Sequence, residues 1–223
     1  MVSNTHRAMA LAYRLVGVAL LPPSKSRPIL EKGDIIKDLK KRVNNLGLDE
    51  HPKIRDSLRQ AVLLADGIGE CVENDECWTG FSVEVTGLTV TSFKRLKCPP
   101  FESIYTSKGP RVVEAPGVAS SLKRYYSLLG LEADKDMVIA VDHVSVELEF
   151  LAALHDAEAS VYEGLVEGVN PFDVAEIRKG FLEDHVSRWI PSFTRCLRDN
   201  TGNKLVRNVA DSIEALLGAE KYV

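Results

Sequence analysis

At 223 residues, with 45% hydrophobic, 27% charged and 7% aromatic side chains, the chain is large enough to bury a core without staples and too apolar for a disordered protein. A net charge of −4 and a pI near 5.8 exclude a general nucleic-acid binder, which needs a basic stripe. No run of 18 apolar residues occurs, so no membrane insertion is expected.

The apolar stretch from Ala8 to Leu21 follows His6 and Arg7. It is not a secretory leader, because Arg14 interrupts it and Leu-Leu-Pro-Pro ends it. Ala8, Leu11, Ala12, Leu15, Val18 and Ala19 repeat at helical spacing, and Arg7 and Arg14 lie two turns apart on another face. Asp34 can cap a helix carrying Ile36, Leu39, Val43 and Leu46, which Gly47 ends. Pro52 opens another, with Ile54, Leu58, Val62 and Ala65 on one stripe. Between Phe81 and Phe93, Val83, Val85, Thr89, Val90 and Thr91 favour a strand. No second strand lies nearby to pair with it, so the segment is expected to be helical. Lys97 to Tyr105 reads as a loop with a rigid Pro99-Pro100 entry, and Lys108-Gly109-Pro110 turns the chain. Pro116 opens a helix with Val118, Leu122, Tyr125 and Leu129, which Gly130 stops.

Two helices dominate the second half. Over about 142–164, Val144, Leu148, Leu151, His155 and Tyr162 form one stripe, and Val146, Phe150, Ala153, Ala157 and Val161 a second. So broad an apolar surface implies a helix buried on several sides. Over about 173–199 the stripe is Leu182, Val186, Trp189, Phe193 and Leu197, and the two helices are expected to pack together. A last helix from about Asn203 buries Val206, Ile213 and Leu217. The expected fold is all-α: a single helical bundle domain over 1–223, built around the 142–164 helix, with a loop or hinge around 97–116.

Charge is uneven along this chain. Glu132 to Glu167 holds ten acidic residues and one Lys, whereas Lys25 to Arg59 holds ten basic and six acidic. The split would draw a cationic ligand to one region; a solvated acidic helix face gives the same pattern. Cys71, Cys77, Cys98 and Cys196 are too few and scattered for a disulfide framework. Cys71 and Cys77 read either as a disulfide of the hyperthermophile kind or as buried small hydrophobes, and not as a zinc site.

No phosphate-cradling glycine motif, nucleophile elbow or HExxH is present. Asp142-His143, where the central helix begins, is the most suggestive pair. Read structurally, Asp142 caps that helix and His143 is an exposed first-turn residue. Read functionally, the pair sits at the mouth of a groove and meets a guanidinium or a backbone amide; the readings are compatible, since a capping carboxylate keeps one oxygen free. His155, on an apolar stripe, reads as a satisfied core histidine. Phe181, His185 and Trp189 follow one another at one-turn spacing and line either a pocket or a helix–helix contact.

Pro99-Pro100-Phe101-Glu102-Ser103-Ile104-Tyr105, then Asp142-His143 before Glu147-Leu148-Glu149-Phe150-Leu151 and Leu154, then Phe181, His185 and Trp189, resemble the landmarks of the TorD-like family in family order. These redox-enzyme maturation chaperones include the DmsD and NarJ proteins. The resemblance implies a cytoplasmic, non-enzymatic chaperone without cofactor or metal. Its implied partners are the apo catalytic subunit of a molybdenum-dependent reductase and its twin-arginine leader peptide, held until the cofactor is inserted. It implies peptide binding by Asp142 and His143, with Glu102, Ser103 and Tyr105 nearby; Phe101, His185 and Trp189 complete the candidate surface. The family's Glu and Pro before the Asp-His pair are replaced by Ile139-Ala140-Val141. Family members exchange segments between subunits, so a monomer and a domain-swapped dimer both fit. The alternatives are a helical enzyme or nucleotide-binding protein using Asp142 and His143 as an acid–base pair, and a helical scaffold protein unrelated to redox enzymes.

Overall fold

The chain begins with a helix buried on almost every side, which places it at the centre of a bundle. The computed structural model describes residues 2–47, 50–90, 97–106, 116–131 and 139–223. The first helix, α1 (Val2–Ala19), buries Ala8, Met9, Ala10, Ala12, Tyr13, Leu15 and Val16. Its main partner is α8 (Val144–Tyr162), which buries Leu148, Phe150, Leu151, Ala152 and Leu154. The two approach closely at Gly17, where a Cβ would lie 3.4 Å from the Ser145 carbonyl oxygen and 3.5 Å from Leu148 Cβ. The partner expected for α8, the long helix near 173–199, also packs on it, but covers less of it than α1 does.

The remaining helices wrap this pair. After α1 come α2 (Pro23–Glu31), α3 (Asp34–Asn44), α4 (Pro52–Val72) and α5 (Asp75–Val85), the last continuing into a π turn over Thr86–Val90. Then follow α6 (Glu102–Thr106), α7 (Pro116–Leu128), α8, α9 (Pro171–Phe181), a second π turn over Leu182–Val186, α10 (Ser187–Asn200) and α11 (Lys204–Ala219). Helices α3, α4 and α11 pack against α1, α9 packs on α8, and α10 joins α11 to α6. No strand occurs among the described residues; a lone antiparallel bridge joins Phe101 to His143. No helix among them is long and apolar enough to cross a membrane.

The segment from Phe81 is helical as expected as far as Val90; residues 91–93 lie outside the described residues, as does most of the expected 97–116 hinge beyond Thr106. Helix α2 is a difference from the sequence reading. Pro23 sits in its first turn, where the missing N–H has no helical partner to lose, so the Pro-Pro pair starts a helix as well as ending one. Helix α6 lies within the segment read as a loop.

Both cysteine pairs are joined: Cys71 to Cys77, and Cys98 to Cys196 across 98 residues of sequence. The first is one of the two alternatives read from the sequence; the second was not foreseen. It fastens the segment leading into the Pro99–Tyr105 motif to α10.

Part of the acidic run is paired within the chain, while Glu132, Asp134 and Asp136 lie outside the described residues. Arg7 donates to Asp156 and Glu163, and Arg14 to Glu149 and Asp156. These pairs lace α1 to α8. The region left to draw a cationic ligand is therefore narrower than the sequence count suggests.

A deeper network locks α1, α8, α9 and the C-terminal turn (Glu220–Tyr222). Arg178 donates to Glu158 at 2.5 Å and to Glu220, while Tyr13 donates to Glu220 at 2.6 Å. His155 lies 3.0 Å from both Glu220 and the His6 Nδ1 atom. His155 is thus the satisfied core histidine expected from its stripe. Burial holds the His6 imidazole down to about 3, with His155 and Arg178 adding to the effect.

Candidate peptide-binding site

The proline pair carries the chain extended into α6, where it runs beside the residues that open α8. The Val144 N–H donates to the Pro100 carbonyl at 2.8 Å and the Glu102 N–H to the Asp142 carbonyl at 3.0 Å. The Phe101 ring meets the His143 ring edge-on at 5.4 Å. Two motifs forty residues apart are therefore one structural unit.

The expected cap assignment is corrected here. The α8 N-cap is His143, whose Nδ1 accepts from the Ser145 N–H at 3.1 Å. The Asp142 carboxylate instead serves α6: its Oδ2 accepts from the Ser103 N–H at 3.2 Å, satisfying an orphan donor in that first turn. Nor is His143 exposed; it is buried, and burial holds its imidazole down to about 4 although Asp142 pulls the other way. A neutral imidazole is what this cap requires, since only an unprotonated Nδ1 accepts a hydrogen bond.

The third landmark arrives through the π turn. Four-residue steps drift about 40° per step around a regular helix, and the wider turn at Leu182–Val186 offsets that drift. Phe181, His185 and Trp189 all face inward and are buried. His185 Nδ1 lies 2.8 Å from Glu102 Oε2, and its Nε2 lies 3.0 Å from the Ser121 hydroxyl. Trp189 Nε1 donates to Glu147 at 2.9 Å, and its ring packs on Tyr105 at 5.4 Å. All eight sequence-selected residues thus converge, but not all as surface groups. Glu102, His185 and Trp189 form the buried support, Ser103, Asp142 and His143 lie just under the surface, and Phe101 and Tyr105 are half-buried.

Glu147 is the member the sequence reading passed over, although it was quoted in the motif. Its place four residues after His143, among apolar neighbours, was the available signal. Burial pushes its carboxyl well above the usual range, and the Glu102 and Asp142 charges push it further. Its Oε1 has no hydrogen-bond partner, nor do the buried Tyr105 and Ser145 hydroxyls. Burial also pushes the Tyr105 phenol up to about 12. Among the described residues no Lys or Arg pairs with Glu102, Asp142 or Glu147.

One cluster elsewhere has the composition of a metal site: His6, His155 and Glu158 place ligand-type atoms within 4.8 Å of one another. Arg178 already supplies the cation to Glu158, and the two imidazoles bond each other. A metal ion there would face a buried guanidinium, so the cluster is read as a lock on the fold.

Residues 52–195 match the sequence model of the family described as nitrate reductase delta subunit. Over 96 residues the chain is 32% identical to a selenate reductase assembly chaperone protein of Thauera selenatis. That match covers 43% of this chain and 48% of the relative, so the chain spans about half the relative's length. No solved structure gives a significant match.

Proposed function

The chain belongs to the nitrate reductase delta subunit family, the TorD-like chaperone group its motifs resemble, and on that premise we propose that it is an assembly chaperone for the catalytic subunit of a molybdenum-dependent reductase. It acts on the cytoplasmic side, as a binding protein and not an enzyme. It grips the subunit's twin-arginine leader or N-terminal segment, using Asp142, His143 and the Phe101–Tyr105 turn as the contact surface. The name of the Thauera selenatis relative supports the client class.

The observation that carries this reading is the carboxylate pair Glu102 and Asp142, beside a Glu147 that burial holds uncharged, which has no Lys or Arg of its own among the described residues. Such a group attracts an external cation, and a guanidinium suits it because planar, bidentate donors match carboxylate oxygens. Asp142 Oδ1 carries no bond among the described residues, and Asp142 is the most exposed of the three acids. The rings of Phe101 and Tyr105 beside it suit the apolar stretch that follows the arginines.

The enzyme alternative is less well supported. An acid–base pair needs the carboxylate on the imidazole. Here Asp142 Oδ2 is taken by the Ser103 N–H and His143 Nδ1 by the helix cap.

Calorimetric titration with an Arg-Arg leader peptide, with a Lys-Lys version as control, tests the proposal. Asp142→Asn is expected to weaken binding about tenfold or more, as loss of a charged hydrogen bond of roughly 1.5–3 kcal/mol implies, while the melting curve stays within a few degrees. Equal binding of both peptides by both proteins would remove Asp142 from the contact surface.

A further inference from the structure

The end of α8 opposite to Asp142 carries a second feature that the leader-binding surface does not use. Gly164 takes φ +71° and closes α8 with a Schellman turn, in which the Leu165 N–H bonds the Ser160 carbonyl at 2.9 Å and the Gly164 N–H the Val161 carbonyl at 3.0 Å. In this turn the residue in Leu165's place ordinarily folds back onto the helix it ends. Leu165 does not: it is 70% exposed, and Phe172, at the start of α9, is 74% exposed. Val166 and Val169 between them, and Tyr162 just before, are exposed too. Val2 is exposed as well, and its neighbour Ser3 donates to Glu163 at 2.6 Å, which brings the start of α1 to the same edge. Five exposed large apolar side chains within eleven residues are a local concentration, not the scattered exposure normal for a surface.

Along the chain the charge in this stretch has one sign, and the basic groups Arg7, Lys41 and Arg42 gather only at its α1 edge, beside Glu163. From Tyr162 to Ile177 there are four acidic residues (Glu163, Glu167, Asp173 and Glu176) and no Lys or Arg. Glu163 is occupied by Arg7. Glu167, Asp173 and Glu176 are exposed and make no ion pair among the described residues. An anionic membrane surface would be repelled by such a face. A second copy meeting it about a two-fold axis would set acid against acid. What complements it is an apolar segment interspersed with Lys or Arg.

We propose that the edge formed by Tyr162–Phe172 and the exposed acids of α9 is a second docking surface, which takes a basic amphipathic segment of the client polypeptide. The inference rests on the reading of the chain as a client-binding chaperone. The two surfaces sit at opposite ends of a 19-residue helix, about 28 Å apart at 1.5 Å per residue. A client held at both ends gains from effective concentration, so two weak contacts give a firm hold.

The test uses the full chain and a synthetic helical peptide of Leu and Lys at amphipathic spacing, with a Leu and Glu peptide as control. Two double variants alter the face: Leu165→Ser with Phe172→Ser, and Glu167→Lys with Asp173→Lys. A third, Glu183→Lys with Asp199→Lys, makes the same change in net charge at exposed acids elsewhere. The expected result is saturable binding of the Lys peptide, weakened at least tenfold in the first two variants and not in the third, with no binding of the Glu peptide. All substituted positions are exposed, so circular dichroism should be unchanged. Equal weakening in all three variants, equal binding of the two peptides, or a dimer dissolved by Leu165→Ser with Phe172→Ser, would each overturn it. Normal binding of the Arg-Arg leader peptide alongside any of these results would leave the leader-binding reading standing and sink this inference alone.

Discussion

Among the described residues, two buried polar clusters differ in whether an arginine stands among their carboxylates. Around Glu158 and Glu220, Arg178 bridges both carboxylates, and Tyr13, His6 and His155 stand against their remaining oxygens. Around Glu102, Asp142 and Glu147 no guanidinium or ammonium stands among the described residues, and Glu147 Oε1, Tyr105 Oη and Ser145 Oγ have no partner there. The titration of the two buried glutamates registers this difference. Burial alone would raise both; His155 and Arg178 bring Glu220 down to about 2, whereas Glu147 is driven well up. A cluster that carries its own counter-ion can only hold the fold together. One that lacks it can still take a cation from outside, and this one lies under the turn proposed above as the client's contact.

The largest test of this contrast is Arg178→Met. Removing the guanidinium leaves two buried carboxylates unpaired, and denaturant unfolding should show a loss of about 3–5 kcal/mol, or no folded protein at all. A loss under about 1 kcal/mol would mean the network is not the lock described here. Next in size is the same Glu→Gln swap made in both clusters. At Glu220, whose charged form the native state favours, it should cost about 2–4 kcal/mol near neutral pH. At Glu147, where an uncharged side chain already suits the site, it should cost less than about 1 kcal/mol. Equal costs would erase the distinction.

The smallest effect expected is one of pH. His143 and His6 are held neutral in the fold, with values of about 4 and about 3 against 6.5 for a free histidine. Below 6.5 the unfolded chain binds protons that the native state refuses, so stability falls as pH drops from 6.5 toward 4. His143→Asn keeps a cap acceptor but does not titrate. Its melting temperature should therefore fall less steeply than the wild type's over that window; an unchanged slope would show that His143 does not contribute.

The sequence alone determined the helical architecture, since it rests on local causes: three- and four-residue apolar spacing, proline at first turns and glycine after last turns. It also selected the residues that meet at the site, because the landmarks near 99–105, 142–154 and 181–189 stand out as strings. Their roles were decided only by tertiary contact. Which of Asp142 and His143 caps α8 depends on α6 arriving to claim the Asp142 carboxylate. Whether an acidic run forms a rim or an internal lace depends on Arg7 and Arg14 facing it from α1. The Cys98–Cys196 pairing and the proton affinity of Glu147 likewise reflect neighbours tens of residues away. Periodicity reports which face of a helix is buried; the charge state and partner of a buried polar group follow from what the rest of the chain places against it.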